Sequence, residues 1–204
     1  MTTALIHNIP MYEGLKVTRE EYLDLEEDGF KYDMINGVLV MSPSPFFDHN
    51  DVLTEIASLF RNFLRKMHIG KCVVETDVYL PDGGDVLRPD ISVILKENYG
   101  IIKGHIHGVP DIVVEILSNA TIKRDLGVKA DRYLSNGVKE YWIVDPDEKT
   151  IELWINTTPD SPGSTGSQGT TTNLWNKKEG GILKSSILKG FVLKRDDVFA
   201  NGIN

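Results

Sequence analysis

A single cysteine, Cys72, occurs in the 204 residues. No disulfide can form within the chain, and a thiolate-rich zinc cluster is equally excluded. Long hydrophobic runs are missing as well: nothing approaches the ~18 apolar residues of a membrane span. The opening Met1-Thr2-Thr3-Ala4-Leu5-Ile6 lacks a basic segment ahead of an apolar stretch, so no signal peptide is expected and a reducing cytoplasm fits. Positive charge is in short supply, with 22 Lys and Arg against 30 Asp and Glu, a net charge of −8. That balance argues against nucleic acid binding over the whole surface, but it leaves room for a local basic cleft around an acidic centre neutralised by metal. No glycine-rich phosphate loop follows a strand, which disfavours a nucleotide-binding enzyme. No internal repeat is present.

What is present suits one α/β domain spanning 1–204, with a 41 % hydrophobic fraction sufficient for a sizeable core. Residues 1–17 read as an irregular N-terminal arm. Thr18-Arg19-Glu20-Glu21 is a capping box that opens a short helix ending near Gly29. Asn36-Gly37, between apolar-rich flanks, predicts a hairpin because both residues tolerate positive φ. Val52, Ile56, Leu59, Phe60, Phe63 and Met67 recur at helical spacing over about 48–67. Strands are expected at 72–80, at 90–95, at 111–117, at 140–145 and at 150–155, with a second major helix over about 122–135 whose stripe is Leu126, Ala130, Tyr133 and Leu134. The Ser-, Thr-, Gly- and Pro-rich segment 157–173 is expected to be a flexible loop. This order implies a mixed β-sheet with a helix on each face, and the 111–145 segment suits a crossover between parallel strands.

Asp90 opens the run Ile91-Ser92-Val93-Ile94-Leu95, and Glu115 lies inside Ile112-Val113-Val114-Glu115-Ile116-Leu117. A carboxylate in such a strand costs several kcal/mol to desolvate unless a metal ion, a cation or a proton compensates it. The two are 25 residues apart, enough for neighbouring strands and a loop. Alternation puts Glu115 on one face with Val113 and Leu117. Two carboxylates plus a backbone carbonyl, most simply that of Ile116, form an oxygen set suited to magnesium, with positions left for water and phosphate. The alternative is structural: Asp90 caps a turn and Glu115 pairs with a lysine or arginine. Lys129, on the helix after the Glu115 strand, could reach over the strand end towards Glu115 or pair with Asp125 one turn away. His49, at the start of the first long helix, is a phosphate contact, a supporting group or a plain helix-start residue. Glu75 and Asp77 share a strand face and either assist a metal or are exposed. His105 and His107 read as solvated loop histidines, and Lys123, Arg124 and Arg132 as a phosphate-binding edge or a solvated face.

Taken together, Arg88-Pro89-Asp90, Pro110-Asp111-Ile112-Val113-Val114-Glu115-Ile116-Leu117-Ser118, Lys123-Arg124-Asp125-Leu126 with Lys129 and Tyr133, and Gly137-Val138-Lys139-Glu140-Tyr141-Trp142-Ile143-Val144-Asp145-Pro146 resemble the Uma-type restriction endonuclease family. That family lies within the PD-(D/E)xK nuclease superfamily. The stretches Tyr32–Pro43 and Ser186–Phe199 are similar to it too. The resemblance implies a restriction-endonuclease-like core and metal-dependent phosphodiester hydrolysis of DNA, with Mg (or Mn) as cofactor. Asp90 and Glu115 would be its acids and Lys129 its lysine, with His49 and Glu75 as possible accessories. The superfamily's lysine position is occupied here by Leu117, so the lysine is relocated to the next helix. Cutting both strands further implies a homodimer. The alternative is a catalytically inactive nuclease-fold module that binds nucleic acid or protein.

Overall fold

The capping box forms at Thr18, whose hydroxyl accepts from the Glu21 N–H while the Glu21 carboxylate accepts from the Thr18 N–H. It opens α1 (Arg19–Leu23), which stops short of Gly29. Asn36 and Gly37 take φ of 52° and 73°, the left-handed geometry of a two-residue hairpin turn. They join β1 (Lys31–Ile35) to β2 (Val38–Ser42). The computed structural model describes residues 9–81, 84–156, 170–175 and 181–199. Within it, the later part of the N-terminal arm lies along the hairpin, where Gly14 N–H donates to Leu39 and Val17 N–H to Gly37. The arm before residue 9 and the expected flexible loop from 157 to 169 lie outside the described residues. The last four residues of that expected loop, 170–173, stand in a strand.

Helix α2 (Phe47–Met67) follows the apolar spacing, burying Val52, Ile56, Phe60 and Leu64, and it ends where His68 turns left-handed. The expected strand 72–80 is two strands. Glu75 takes φ of 45°, breaking the chain between β3 (Gly70–Val74) and β4 (Val78–Tyr79), which belong to different sheets. Glu75 and Asp77 therefore sit in the break and not on a common strand face. β5 (Val86–Leu87) and β6 (Ile91–Leu95) come next, then a 3₁₀ turn at Lys96–Ile101. β7 (Ile102–Lys103) and β8 (His105–His107) follow, so the paired histidines lie on a short strand and not in a loop.

β9 (Ile112–Ile116) leads to α3 (Ile122–Arg124), a wide π-turn at Asp125–Lys129 and α4 (Ala130–Ser135). The second helix is thus interrupted, and Gly127 within it has φ −108° and ψ −106°. β10 (Glu140–Asp145), β11 (Thr150–Asn156) and β12 (Thr170–Trp175) complete the main sheet. β13 (Ile182–Lys184) pairs with β14 (Val192–Lys194) ahead of α5 (Arg195–Phe199).

The main sheet has the order β12-β11-β10-β9-β6-β3 and the second β2-β1-β5-β4-β8-β7. Both are mixed: β9 and β10 run parallel, joined by the α3–α4 segment, while β6 and β9 are antiparallel. Alternation divides the main sheet cleanly. Val114, Ile116 and Trp142 face α2 and the tail around Phe191. Val113, Tyr141 and Ile143 face α4 and second-sheet residues such as Val78 and Leu87. Among the described residues no helix is long and apolar enough to cross a membrane.

Gly70 marks the tightest approach of backbone in this core. A Cβ there would lie 2.7 Å from the Ile94 carbonyl oxygen and 3.1 Å from a Leu64 methyl. Gly70→Ala is expected to lower stability by about 1–3 kcal/mol, the usual cost of overpacking, read as a lower urea midpoint with unchanged slope.

Candidate active site

Asp90 and Glu115 meet because of strand register. Ile91 pairs with Val114, Ser92 with Val113 and Val93 with Ile112. Continuing that ladder by one residue sets Asp90 opposite Glu115 on the same face, the one covered by the α3–α4 segment. Like charges directly opposed across a sheet repel, so this end of the ladder is built for something positive. The Asp90 carboxylate folds over the strand end, where its Oδ2 accepts from the Ile116 N–H at 2.6 Å and lies 3.3 Å from Nε2 of His49. His49 reaches it from the first turn of α2. Its imidazole is raised above the ordinary range: burial pulls it down, but the hydrogen bond and charge of Asp90 outweigh that.

Glu115 is only 2 % exposed. Its Oε1 lies 2.7 Å from Nζ of Lys129, and the two make an ion pair inside the protein. Burial pushes the Glu115 carboxyl well above its usual range; the Lys129 ammonium opposes this, while Asp125 and Asp90 add to it. Lys129 reaches Glu115 because of the π-turn. A regular stripe would bury Leu126, yet Leu126 is 40 % exposed while Asp125 and Lys129 are buried. Nζ also lies 3.6 Å from Asp125, 3.9 Å from Asp33 and 3.3 Å from the Arg88 carbonyl, to which it donates. Burial lowers the tendency of Lys129 to hold a proton, but Asp33, Glu115 and Asp125 together reverse this and keep it charged.

Asp33 and Asp125 had not been singled out as site residues. Asp33 comes from β1 in the second sheet and is fully buried. Its Oδ1 accepts from the Arg88 N–H at 2.8 Å, and its Oδ2 lies 3.5 Å from Nε of Arg124. A lone acid between Tyr32 and Met34 in a hairpin strand was the available signal, of the same kind that marked Glu115. Arg124 donates to the Met41 carbonyl and to the Ser42 hydroxyl. The remaining candidates separate. Glu75 borders the site but pairs with Lys31 at 2.6 Å, and Asp77 is held by Arg88 at 2.6 Å. Arg132 binds Asp85 and Asn36 away from the site, and His105 and His107 lie beside Tyr79. Burial pushes the Cys72 thiol up to about 12, so it is no nucleophile at neutral pH.

These groups open into a cavity of about 600 Å³. Its walls carry the cations Lys31, Arg88, Arg124 and Lys129 and six carboxylates, those of Asp48, Glu75, Asp90, Glu115, Asp125 and Asp147. The acids exceed the cations, and a divalent ion would offset the excess. The oxygens that could hold one are those of Asp90, Glu115 and the Ile116 carbonyl, which in an extended strand projects to the same side as the Ile116 N–H held by Asp90. Hard oxygen donors of this kind suit Mg or Mn. Among the described residues no group of three or more His, Cys, Asp or Glu is arranged to hold a metal ion, so water and substrate would complete the shell. The buried Glu115 Oε1 also lacks a hydrogen-bond donor in good alignment.

The chain is similar to a crystal structure described as a putative nuclease belonging to DUF820 from Anabaena variabilis ATCC 29413, with a TM-score of 0.73 and 20 % identity over 90 % of this chain and 98 % of the other. That likeness establishes a shared fold. The chain belongs to the Uma2 family, described as "Putative restriction endonuclease", which matches residues 19–165. No curated protein matches it.

Lys129→Met keeps the side chain's length but strands Asp33, Glu115 and Asp125 without their shared cation. Breaking a buried pair in this way costs about 3–5 kcal/mol. Urea denaturation at neutral pH is expected to show a loss of that order, with Lys129→Met/Glu115→Gln recovering part of it.

Proposed function

We propose that the protein is a divalent-metal-dependent DNA endonuclease that hydrolyses phosphodiester bonds. The observation that carries this reading is the opposition of Asp90 and Glu115 across two adjacent strands, with Lys129 Nζ 2.7 Å from Glu115. Asp90, Glu115 and the Ile116 carbonyl would hold Mg or Mn. When bound, such an ion supplies Lewis-acid activation of the phosphodiester and of water.

The chain's own residues would do the rest. Lys129, kept charged by its three carboxylates, stabilises negative charge that grows on the phosphoryl oxygens; as an ammonium it has no lone pair with which to take the proton of the attacking water. Its position on the helix after the Glu115 strand replaces the lysine that Leu117 does not provide. His49 orients Asp90 through Oδ2. Glu75, tied to Lys31, is at most an accessory at the cavity wall. Cutting both strands of a duplex takes two such sites, which a homodimer would supply.

A second reading has its own support. The Glu115 carboxylate is taken up by Lys129, and Asp90 Oδ2 is taken up by the Ile116 N–H and His49. Both acids would then serve structure alone, in a module that binds nucleic acid or protein without cleaving it.

Plasmid DNA incubated with the protein is expected to be nicked in Mg or Mn and left intact in EDTA. Asp90→Asn and Glu115→Gln should each lose both cleavage and calorimetric metal binding. Metal binding that survives in both variants defeats the site assignment, and firm metal binding by wild type without cleavage selects the second reading.

A further inference from the structure

Phe46 is 82 % exposed and lies beside the candidate active site. Phe46 is the N-cap of α2 and lines the same cavity as Asp90, Glu115 and Lys129. His49, which reaches Asp90, is three residues further on, so Phe46 stands about one helical turn from the residue that contacts Asp90. Its approach is stiff. Pro43 and Pro45 also line the cavity, and proline rings fix φ on the way to the helix. An aromatic ring held in water at a cavity mouth, on a backbone with little freedom, is already ordered for contact and loses little entropy on binding.

We infer that Phe46 is a stacking platform for an unpaired nucleobase and that the preferred substrate is single-stranded DNA. The inference rests on the phosphodiesterase reading of the site. Three observations favour this occupant. The cavity, at about 600 Å³, is in the range of pockets that take a whole small ligand, more than one phosphate group needs. The chain carries a net charge of −8, and the cavity's acids outnumber its cations, so broad attraction to the backbone cannot supply the affinity. Stacking does not depend on charge and is open to every base through its π-face. The exposed ring is also continuous with the wall that carries the acids, and not a separate patch on another side of the molecule. A base stacked on Phe46 would bring its strand to the cavity that Asp90 and Arg124 also line. Bases paired inside a duplex keep their faces buried against one another and cannot use the ring. A single strand needs one site per cut, so one protomer suffices.

The test is fluorescence anisotropy of the full-length protein in calcium, with one labelled oligonucleotide used alone and annealed to its complement. The single strand is expected to bind at least about tenfold tighter than the duplex, and Phe46→Ala to remove that preference by weakening single-strand binding about tenfold. Phe46→Trp should keep it, and the melting temperature of Phe46→Ala should match wild type because the residue is 82 % exposed. Equal affinity for the two forms, undetectable single-strand binding, or an unchanged Kd in Phe46→Ala overturns the inference. Sedimentation supplies the competing outcome: a dimer that dissociates in Phe46→Ala with unchanged strand binding makes the ring a protein contact instead. Failure of the two readings is separable. Phe46-dependent single-strand binding without cleavage in Mg or Mn overturns the hydrolytic activity and leaves the platform standing. Metal-dependent duplex cleavage that is indifferent to Phe46 does the reverse.

Discussion

The structure around the candidate site depends on one buried ammonium. Lys129 is 3 % exposed and lies within 4 Å of carboxylates from three elements: Glu115 on β9, Asp33 on β1 and Asp125 in its own π-turn. Burying a cation is costly unless partners repay the lost hydration, and here the partners belong to the main sheet, the second sheet and the interrupted helix. The same contact that satisfies the charge therefore fastens those three pieces at one point. It also dictates the local backbone: without the wide turn at 125–129, the helix would present an apolar face where the ammonium now sits.

Not every buried acid in these strands has the character of the site. Asp111 is buried, yet its carboxylate accepts from the Leu95 N–H, the Asn98 amide and Lys139. Glu140 accepts from Ser185, Ser186, Ile187 and the Trp142 indole, anchoring the C-terminal segment to the sheet. These two acids have their lone pairs directed at fixed donors, and they face structure. Glu115, Asp33 and Asp125 each keep a buried oxygen without an aligned donor. Strand acids alone do not mark a site: Asp90 and Glu115 line the cavity, and Asp111 and Glu140 do not.

Much of this was legible in the sequence, for physical reasons that can be named. The hairpin at Asn36-Gly37 and helix α2 follow from local conformational preference and from strong periodicity. The acids at 90 and 115 were visible because charge in an apolar strand is expensive, and Lys129 because it sits beside the apolar stripe of the next helix. What escaped was decided by tertiary contact. Asp33 lies far along the chain from Lys129, and nothing local links the two. The π-turn was hidden because Leu126, Ala130 and Tyr133 fit a regular stripe; only Gly127 hinted at an interruption. The split of the 72–80 strand turned on a positive φ at Glu75, a residue with no special liking for it, held there by the departure of the chain to the second sheet.

The depth of Lys129 divides the molecule's response to ionic strength. Mobile ions screen charges that water reaches, over about 8–10 Å at ordinary salt, but they do not enter the packed space between Lys129, Glu115, Asp33 and Asp125. Added salt should then compete with a polyanion at the cavity mouth while leaving the arrangement of charges beneath it unchanged. Ionic strength would govern how often the cavity is filled, and the buried ammonium would govern what shape it has when it is.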